Sequence, residues 1–279
     1  MKRLAVLGHP VSHSRSPAMQ TAALEALGLA GEWSYEGLDL APEELATRTK
    51  ALPEQGFVGA NVTIPHKEAA LALADEASDA ARRIGATNTL SFGAGRIRAD
   101  NTDATGLLAA LAKPVEGRSA LVLGAGGSGR AAAWALAEEG AFVSVWNRTA
   151  ERADELIRDL VGTWSTLGAG QLKPVSGEQA RASGYELIVN CTAIGMRDED
   201  PFAHLPLDSE RLNAGVVLVD LVYAGSESRL VAEARSRSAT AIDGLEVLVR
   251  QGGESLRIWT GMDPPLDVMR EAAKRGGES

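Results

Sequence analysis

Polar and ionisable residues gather in three short islands in the first half of the chain, each just after an apolar run. They are Ser14-Arg15-Ser16, then Asn61-Val62-Thr63-Ile64-Pro65-His66-Lys67, then Thr87-Asn88-Thr89 with Asn101-Thr102-Asp103. In parallel α/β sheets ligands bind beyond the strand ends, so islands that follow strands would converge on one crevice. Each also has a plainer reading on its own: serines capping a helix, a lysine on a helix face, an aspartate capping residues 105–112. The four histidines (His9, His13, His66 and His204) lack metal-ligand spacing, so no metal is expected and these are read as loop residues.

A second kind of chemistry lies further on. Gly124-Ala125-Gly126-Gly127-Ser128-Gly129 fits G-x-G-x-x-G between an apolar strand and a helix. There the first glycine makes the turn, the second lets backbone approach a diphosphate, and the third lets helix pack on strand. Amides at the helix start would then hold phosphate. Such turns also serve plain packing, so the next strand decides. It ends in Val145-Trp146-Asn147-Arg148-Thr149 with no acid to accept from a ribose 2′-hydroxyl. A guanidinium there grips a 2′-phosphate, and Arg152 can close from the other side. The cofactor read from this is NADP(H) rather than NAD; the alternative for both arginines is a solvated helix start.

The elements needed to position these groups can be read in outline. Residues 3–7 form a short strand, and Pro17 opens a helix over 18–27 with Ser16 as its N-cap. Residues 33–40 form a strand, Pro42-Glu43-Glu44 opens a helix, and 56–62 form a third strand. An alanine-rich helix runs from 67 to about 75, and 87–92 and 96–99 are strands joined by Gly93-Ala94-Gly95. A second αβ alternation follows: strand 119–123, helix 130–139, strand 141–146, helix 150–160, strands 187–190 and 216–220, and a helical tail from about 244. The pattern predicts two α/β domains, each on a largely parallel sheet, with a boundary near 103–107.

At 279 residues, with 45% hydrophobic and 23% charged residues, two domains of ordinary globular composition are the natural expectation. A net charge of −9 with no basic stripe excludes nucleic acid as a partner and leaves an anionic ligand to local groups. Apolar runs are too short for a membrane span and no leader is visible, so a cytoplasmic place is expected. The single cysteine, Cys191, follows an apolar strand and reads as an inert core thiol.

Taken together, the islands, the glycine turn, Asn147-Arg148-Thr149, residues 190–196 and Gln251-Gly252 resemble the shikimate dehydrogenase family over nearly the whole chain. The resemblance implies an N-terminal α/β substrate domain and a Rossmann-type NADP-binding domain with a cleft between them. The division would be 1–103 with 240–279 for the substrate-binding and catalytic domain, and 104–239 for the NADP domain. It implies reversible NADPH-dependent reduction of 3-dehydroshikimate to shikimate, in aromatic amino acid biosynthesis, with Lys67 as general acid/base paired with Asp103. Ser14 and Ser16 would hold the substrate carboxylate, and Thr63, Asn88, Asp103 and Gln251 the ring hydroxyls, with Tyr223 nearby. The cofactor would meet Gly124, Gly126, Gly127, Ser128, Gly129, Asn147, Arg148, Thr149 and Arg152, with Leu221 and Gly244 lining the nicotinamide pocket. A homodimer is one assembly open to such a chain.

The sequence departs from the family where a proline, a threonine and a methionine are usual; here stand Gly225, Ser228 and Val247. Three rivals remain: a paralogue acting on quinate or an amino-substituted ring, a folate dehydrogenase, and an NADP(H) sensor without catalysis. Ser16 and Arg148 favour shikimate with NADP. The Ser-x-Ser loop is unexplained by a folate enzyme, and a sensor has no need of Lys67 and Asp103.

Overall fold

The computed structural model describes residues 1–163, 170–197, 199–223 and 227–276. The chain forms two compact units, Met1–Gly106 with Leu248–Ser279, and Leu107–Val247.

The first unit carries strands β1 (Lys2–Gly8), β2 (Trp33–Asp39), β3 (Phe57–Val62), β4 (Glu76–Ala77), β5 (Thr89–Gly93) and β6 (Arg96–Asp100). Its first helices are α1 (Ser16–Ala26), α2 (Leu45–Ala51), α3 (Lys67–Leu71), α4 (Asp79–Ile84) and α5 (Asp103–Leu111). The sheet runs β2-β1-β3-β5-β6-β4. The expected parallel pairing holds for β2-β1-β3, but β5 is antiparallel to both β3 and β6. The reason is local: Ala94 and Gly95 both have positive φ, the backbone that a two-residue hairpin turn requires. The helix expected to reach residue 75 stops at Leu71. Asp75 and β4 leave it to bond β6, with the Ile97 N–H donating to Asp75 Oδ2 at 2.8 Å. Nor does α2 open at Pro42; it begins at Leu45. Leu7, Leu40, Phe57, Val62, Leu90 and Ile97 share one core on this sheet.

In the second unit the strands are β7 (Ser119–Leu123), β8 (Phe142–Trp146), β9 (Leu172–Pro174), β10 (Leu187–Asn190), β11 (Val217–Asp220) and β12 (Thr240–Ile242). The helices are α6 (Gly127–Glu138), α7 (Ala150–Gly162), α8 (Gly177–Ala182), α9 (Pro201–His204) and α10 (Arg229–Ser236). All six strands are parallel in the order β12-β11-β10-β7-β8-β9. Numbered within the unit this is 6-5-4-1-2-3, the doubly wound nucleotide-binding order, with its reversal between β7 and β10. Both faces are buried, as helices on either side demand. Along β7, Ala120 and Val122 join one core cluster while Leu121 and Leu123 join the other.

Helices α11 (Gly244–Thr260) and α12 (Leu266–Arg275) complete the chain. The return to the first unit comes later than residue 240, because Thr240–Ile242 is the edge strand beside β11 and Val247 packs in the cluster of Leu107 and Leu111. Residues 104–106 stay with the first unit. There Gly106 brings α5 against α11, since a Cβ on it would lie 2.7 Å from that of Gln251.

Gly129 is the tightest such approach in the second unit: an added Cβ would sit 2.0 Å from the Gly124 carbonyl oxygen. Gly129→Ala should therefore force α6 off the strand and cost roughly 1–3 kcal/mol, the usual range for overpacking, measurable as a lowered urea midpoint.

Candidate active site

Register places the polar islands at one edge of the first sheet. Leu7 pairs with Val62, Asn61 with Thr89, and Thr89 with Asp100. The carboxyl ends of β1, β3 and β6 and the amino end of β5 thus lie together, and the loops bearing Ser14, Thr63, Asn88 and Asn101 leave from that edge. Lys67 opens α3 and Asp103 opens α5.

Lys67 Nζ donates to Asp103 Oδ2 at 2.6 Å, with the two side chains only 11% and 15% exposed. Asp103 is free for this because it is not the helix cap. Asn101 takes that duty, its Oδ1 accepting from the N–H groups of Asp103 and Ala104 at 3.1 and 3.4 Å. The other carboxylate oxygen, Oδ1, accepts from Asn88 Nδ2 at 2.9 Å.

Asn88 is the hub. Its Nδ2 also lies 2.9 Å from Gln251 Oε1 and from Thr102 Oγ1, while its Oδ1 accepts the Thr102 N–H at 2.7 Å. The backbone donor settles which end of the amide points which way, because only the oxygen can accept it. Gln251 is tied a second time, Nε2 donating to the Leu248 carbonyl at 2.9 Å. Behind the hub lies a second layer. Ser255 Oγ meets Thr89 Oγ1 at 2.8 Å and Thr102 Oγ1 at 3.1 Å, and accepts from Asn61 Nδ2 at 2.9 Å. Tyr35 OH donates to Asn61 Oδ1 at 2.8 Å. Sequence reading missed Ser255 and Tyr35. Ser255 was discoverable, standing one helical turn after Gln251 and so on the same face; nothing in β2 marks Tyr35.

The serine loop differs from expectation in its capping. Arg15, not Ser16, is the N-cap of α1, and Ser16 lies within the helix, buried. Ser14 Oγ accepts the Ser16 N–H at 3.3 Å, which leaves the Ser14 hydroxyl proton available to a ligand. Thr63 bonds β1 through its N–H to the Leu7 carbonyl at 2.9 Å.

Of the histidines, His66 is structural, its Nε2 at 2.7 Å from the buried Leu40 carbonyl. His9 Nδ1 is 2.6 Å from Asp39 Oδ1, and that bond, helped by the Val11 N–H, holds the Asp39 carboxyl below its ordinary value. His13 and His204 are exposed. Among the described residues no three His, Cys, Asp or Glu side chains could share a metal, and no helix is long and apolar enough to cross a membrane.

In the second unit the glycine turn follows β7 at the sheet's reversal. Gly126 is the N-cap of α6 and offers no side chain to cap it, and a Cβ built on it would meet nothing within 4 Å. Gly127 and Ser128, the first residues of α6, are half-buried. Helix α6 thus starts inside the motif, earlier than the expected residue 130. Asn147 braces the turn, accepting the Ala125 N–H at 3.1 Å and donating to the Thr149 carbonyl at 2.8 Å. Thr149, Arg148 and Arg152 are exposed around the start of α7. Leu221 and Gly244 meet: a Cβ on Gly244 would lie 2.5 Å from the Leu221 carbonyl oxygen. Tyr223, partly buried, follows β11. Cys191 is half-buried rather than fully enclosed, directly after β10. Gly225 lies outside the described residues.

Three family models match the chain: a shikimate dehydrogenase substrate binding domain at residues 6–90, shikimate/quinate 5-dehydrogenase at 107–191, and a shikimate 5′-dehydrogenase C-terminal domain at 244–274. The chain is 42% identical to shikimate dehydrogenase (NADP(+)) of Methanothermobacter thermautotrophicus, over 97% of this chain and 95% of that one. It superposes with a TM-score of 0.85 and 45% identity on the crystal structure of Thermus thermophilus shikimate 5-dehydrogenase in complex with NADP(H) and shikimate, covering 99% and 100% of the two chains. A ligand-free 5-ketofructose reductase of Gluconobacter is also similar, with a TM-score of 0.84, 29% identity and 98% of each chain covered.

Removing the hub tests how much depends on it. Asn88→Ala strands the buried Thr102 N–H and the oxygens of Gln251 and Asp103 that face it. The cost should be about 2–3 kcal/mol, above that of one ordinary hydrogen bond, read from urea unfolding against wild type.

Proposed function

This chain belongs to the shikimate dehydrogenase family, and from that premise we propose that it interconverts shikimate and 3-dehydroshikimate with NADP(H), Lys67 and Asp103 moving the proton. The observation that carries the proposal is the enclosed Lys67–Asp103 pair, locked to Asn88 and Gln251 at the sheet edge where the serine loop also emerges. The reaction belongs to the biosynthesis of aromatic amino acids, and the cytoplasm is the compartment that suits a nicotinamide-dependent biosynthetic step.

NADP(H), when bound, supplies or accepts the hydride at the ring carbon. In the reducing direction negative charge builds on the substrate oxygen, and Lys67 as ammonium both stabilises it and donates the proton. In the oxidising direction Lys67 as amine takes the hydroxyl proton. Asp103 points the ammonium and offers its carboxylate to the neighbouring ring hydroxyl. Asn88 commits its Nδ2 hydrogens to Asp103 and Gln251 and so holds both in place, while the Gln251 Nε2 hydrogen not given to Leu248 reads a ring hydroxyl without reorganising. Ser14, with Ser16 beside it, donates to the substrate carboxylate, and Thr63 offers its hydroxyl to the ring.

The second unit suits the cofactor on three counts. The Gly126 backbone faces open space, the first amides of α6 lack a side-chain cap, and no carboxylate ends β8. Arg148, exposed and without an ion pair among the described residues, would take the 2′-phosphate with Arg152.

Two measurements test the proposal. Reduction of NADP+ followed by absorbance should proceed with shikimate well above quinate, and Lys67→Ala should lower kcat by roughly 10²-fold or more while KM moves only a few-fold. Quinate turnover equal to shikimate, or a Lys67→Ala enzyme with kcat intact, would sink the substrate or the acid/base assignment respectively. Arg148→Ala should lower the kcat/KM preference for NADP+ over NAD+ by about tenfold, the loss of one exposed charge-assisted contact. An unchanged preference places the phosphate elsewhere.

A further inference from the structure

At the carboxyl ends of β10 and β11 a carboxylate is buried with no cation bonded to it among the described residues. Asp220 is wholly enclosed, and three donors face it: Asn190 Nδ2 at 2.8 Å, Ser228 Oγ at 2.6 Å and the Val222 N–H at 3.2 Å. Burial pushes its carboxyl above the ordinary value and nearby Asp243 adds to this, while the three hydrogen bonds oppose them. An acid with a raised folded pKa favours the fold most at low pH, and that advantage is lost as pH rises through the raised value. Burial works against the ionised carboxyl here, so stability does not account for it.

What the charge does is set an amide. Asn190 is in register with Asp220 on one side and with Leu123, the last residue before the glycine turn, on the other. Its Nδ2 faces Asp220 and, at 3.3 Å, the Ile194 carbonyl. Its Oδ1 accepts from the Thr192 N–H at 3.1 Å and the Thr192 hydroxyl at 2.7 Å, and that hydroxyl accepts the Ile194 N–H at 3.1 Å. Residues 190–194 are wound tight by these bonds. The loop they form walls the phosphate turn: a Cβ on Gly124 would lie 3.2 Å from the Cys191 carbonyl and the Thr192 methyl. A carboxylate can only accept, whereas an amide can present either end. Asp220 therefore reinforces the orientation that the Thr192 N–H and the Ile194 carbonyl also require, with the oxygen of Asn190 toward Thr192; a neutral amide at 220, able to present its own NH2, would weaken that hold and loosen the loop.

We propose that Asp220, acting through Asn190, is a positioning residue for the dinucleotide site, fixing the loop that shapes the glycine turn. The proposal rests on assigning NADP(H) to that turn. Ser228 completes the device, donating to Asp220 Oδ2 while capping α10 through the Val231 N–H at 3.1 Å. Only a hydroxyl is needed there, which explains how serine replaces the family's usual threonine.

Calorimetric titration of NADP+ onto the full chain, with melting temperatures alongside, tests this without substrate. Asp220→Asn should weaken NADP+ on the order of five- to tenfold, with the melting temperature unchanged or raised because the buried charge is gone. Ser228→Thr should match wild type and Ser228→Ala should fall between. An Asp220→Asn protein that binds NADP+ within twofold of wild type overturns the proposal, as does a lowered melting temperature with unchanged affinity. Failure of the wild-type chain to bind NADP+ would overturn the cofactor assignment instead.

Discussion

The first unit depends on satisfying one buried amide. Asn88 is enclosed, and its oxygen is claimed by a backbone N–H of the turn into α5. Once that bond forms, the NH2 group must face Asp103 and Gln251, and both of those must be present to receive it. Strand β5, helix α5 and helix α11 are thereby joined through a single side chain. A buried network of this kind is favourable only when complete, which makes it a device for alignment as much as for stability. Asp103 is thereby held in one place to receive Lys67.

The second unit solves a different problem by close approach. Its helix starts directly on its strand because Gly129 leaves room for the Gly124 carbonyl, and amides without a side-chain cap face outward at Gly126. Neither feature involves a catalytic group. Their joint effect is a glycine turn with open space beside Gly126, braced by Asn147 on one side and by the 190–194 loop on the other.

Fold class and most of the candidate site were legible in the sequence, for physical reasons. Strands 119–123 and 187–190 are apolar runs bounded by glycine or turn residues, and the structure begins and ends them at those positions. Lys67, Asn88 and Asp103 stand out because polar groups follow strand ends, whereas Gln251, inside α11, is marked only by the family resemblance. Local pattern misled where a distant partner outbid it. Helix α3 stops short because Asp75 is taken by β6, Ser16 yields the cap to Arg15, and residues 240–242 join the second sheet although the tail beyond them returns to the first unit.

Composition and motif, then, determined by themselves the two α/β units, the nucleotide turn and the absence of an acid after β8, since each depends on residues adjacent in the chain. The tertiary structure decided which groups meet. Lys67 and Asp103 are 36 positions apart, and Asn88 and Gln251 are 163 apart. Register, the backbone contact at Gly106 and the orientation of one amide bring them within hydrogen-bond reach, and none of these is a property of a local stretch of sequence.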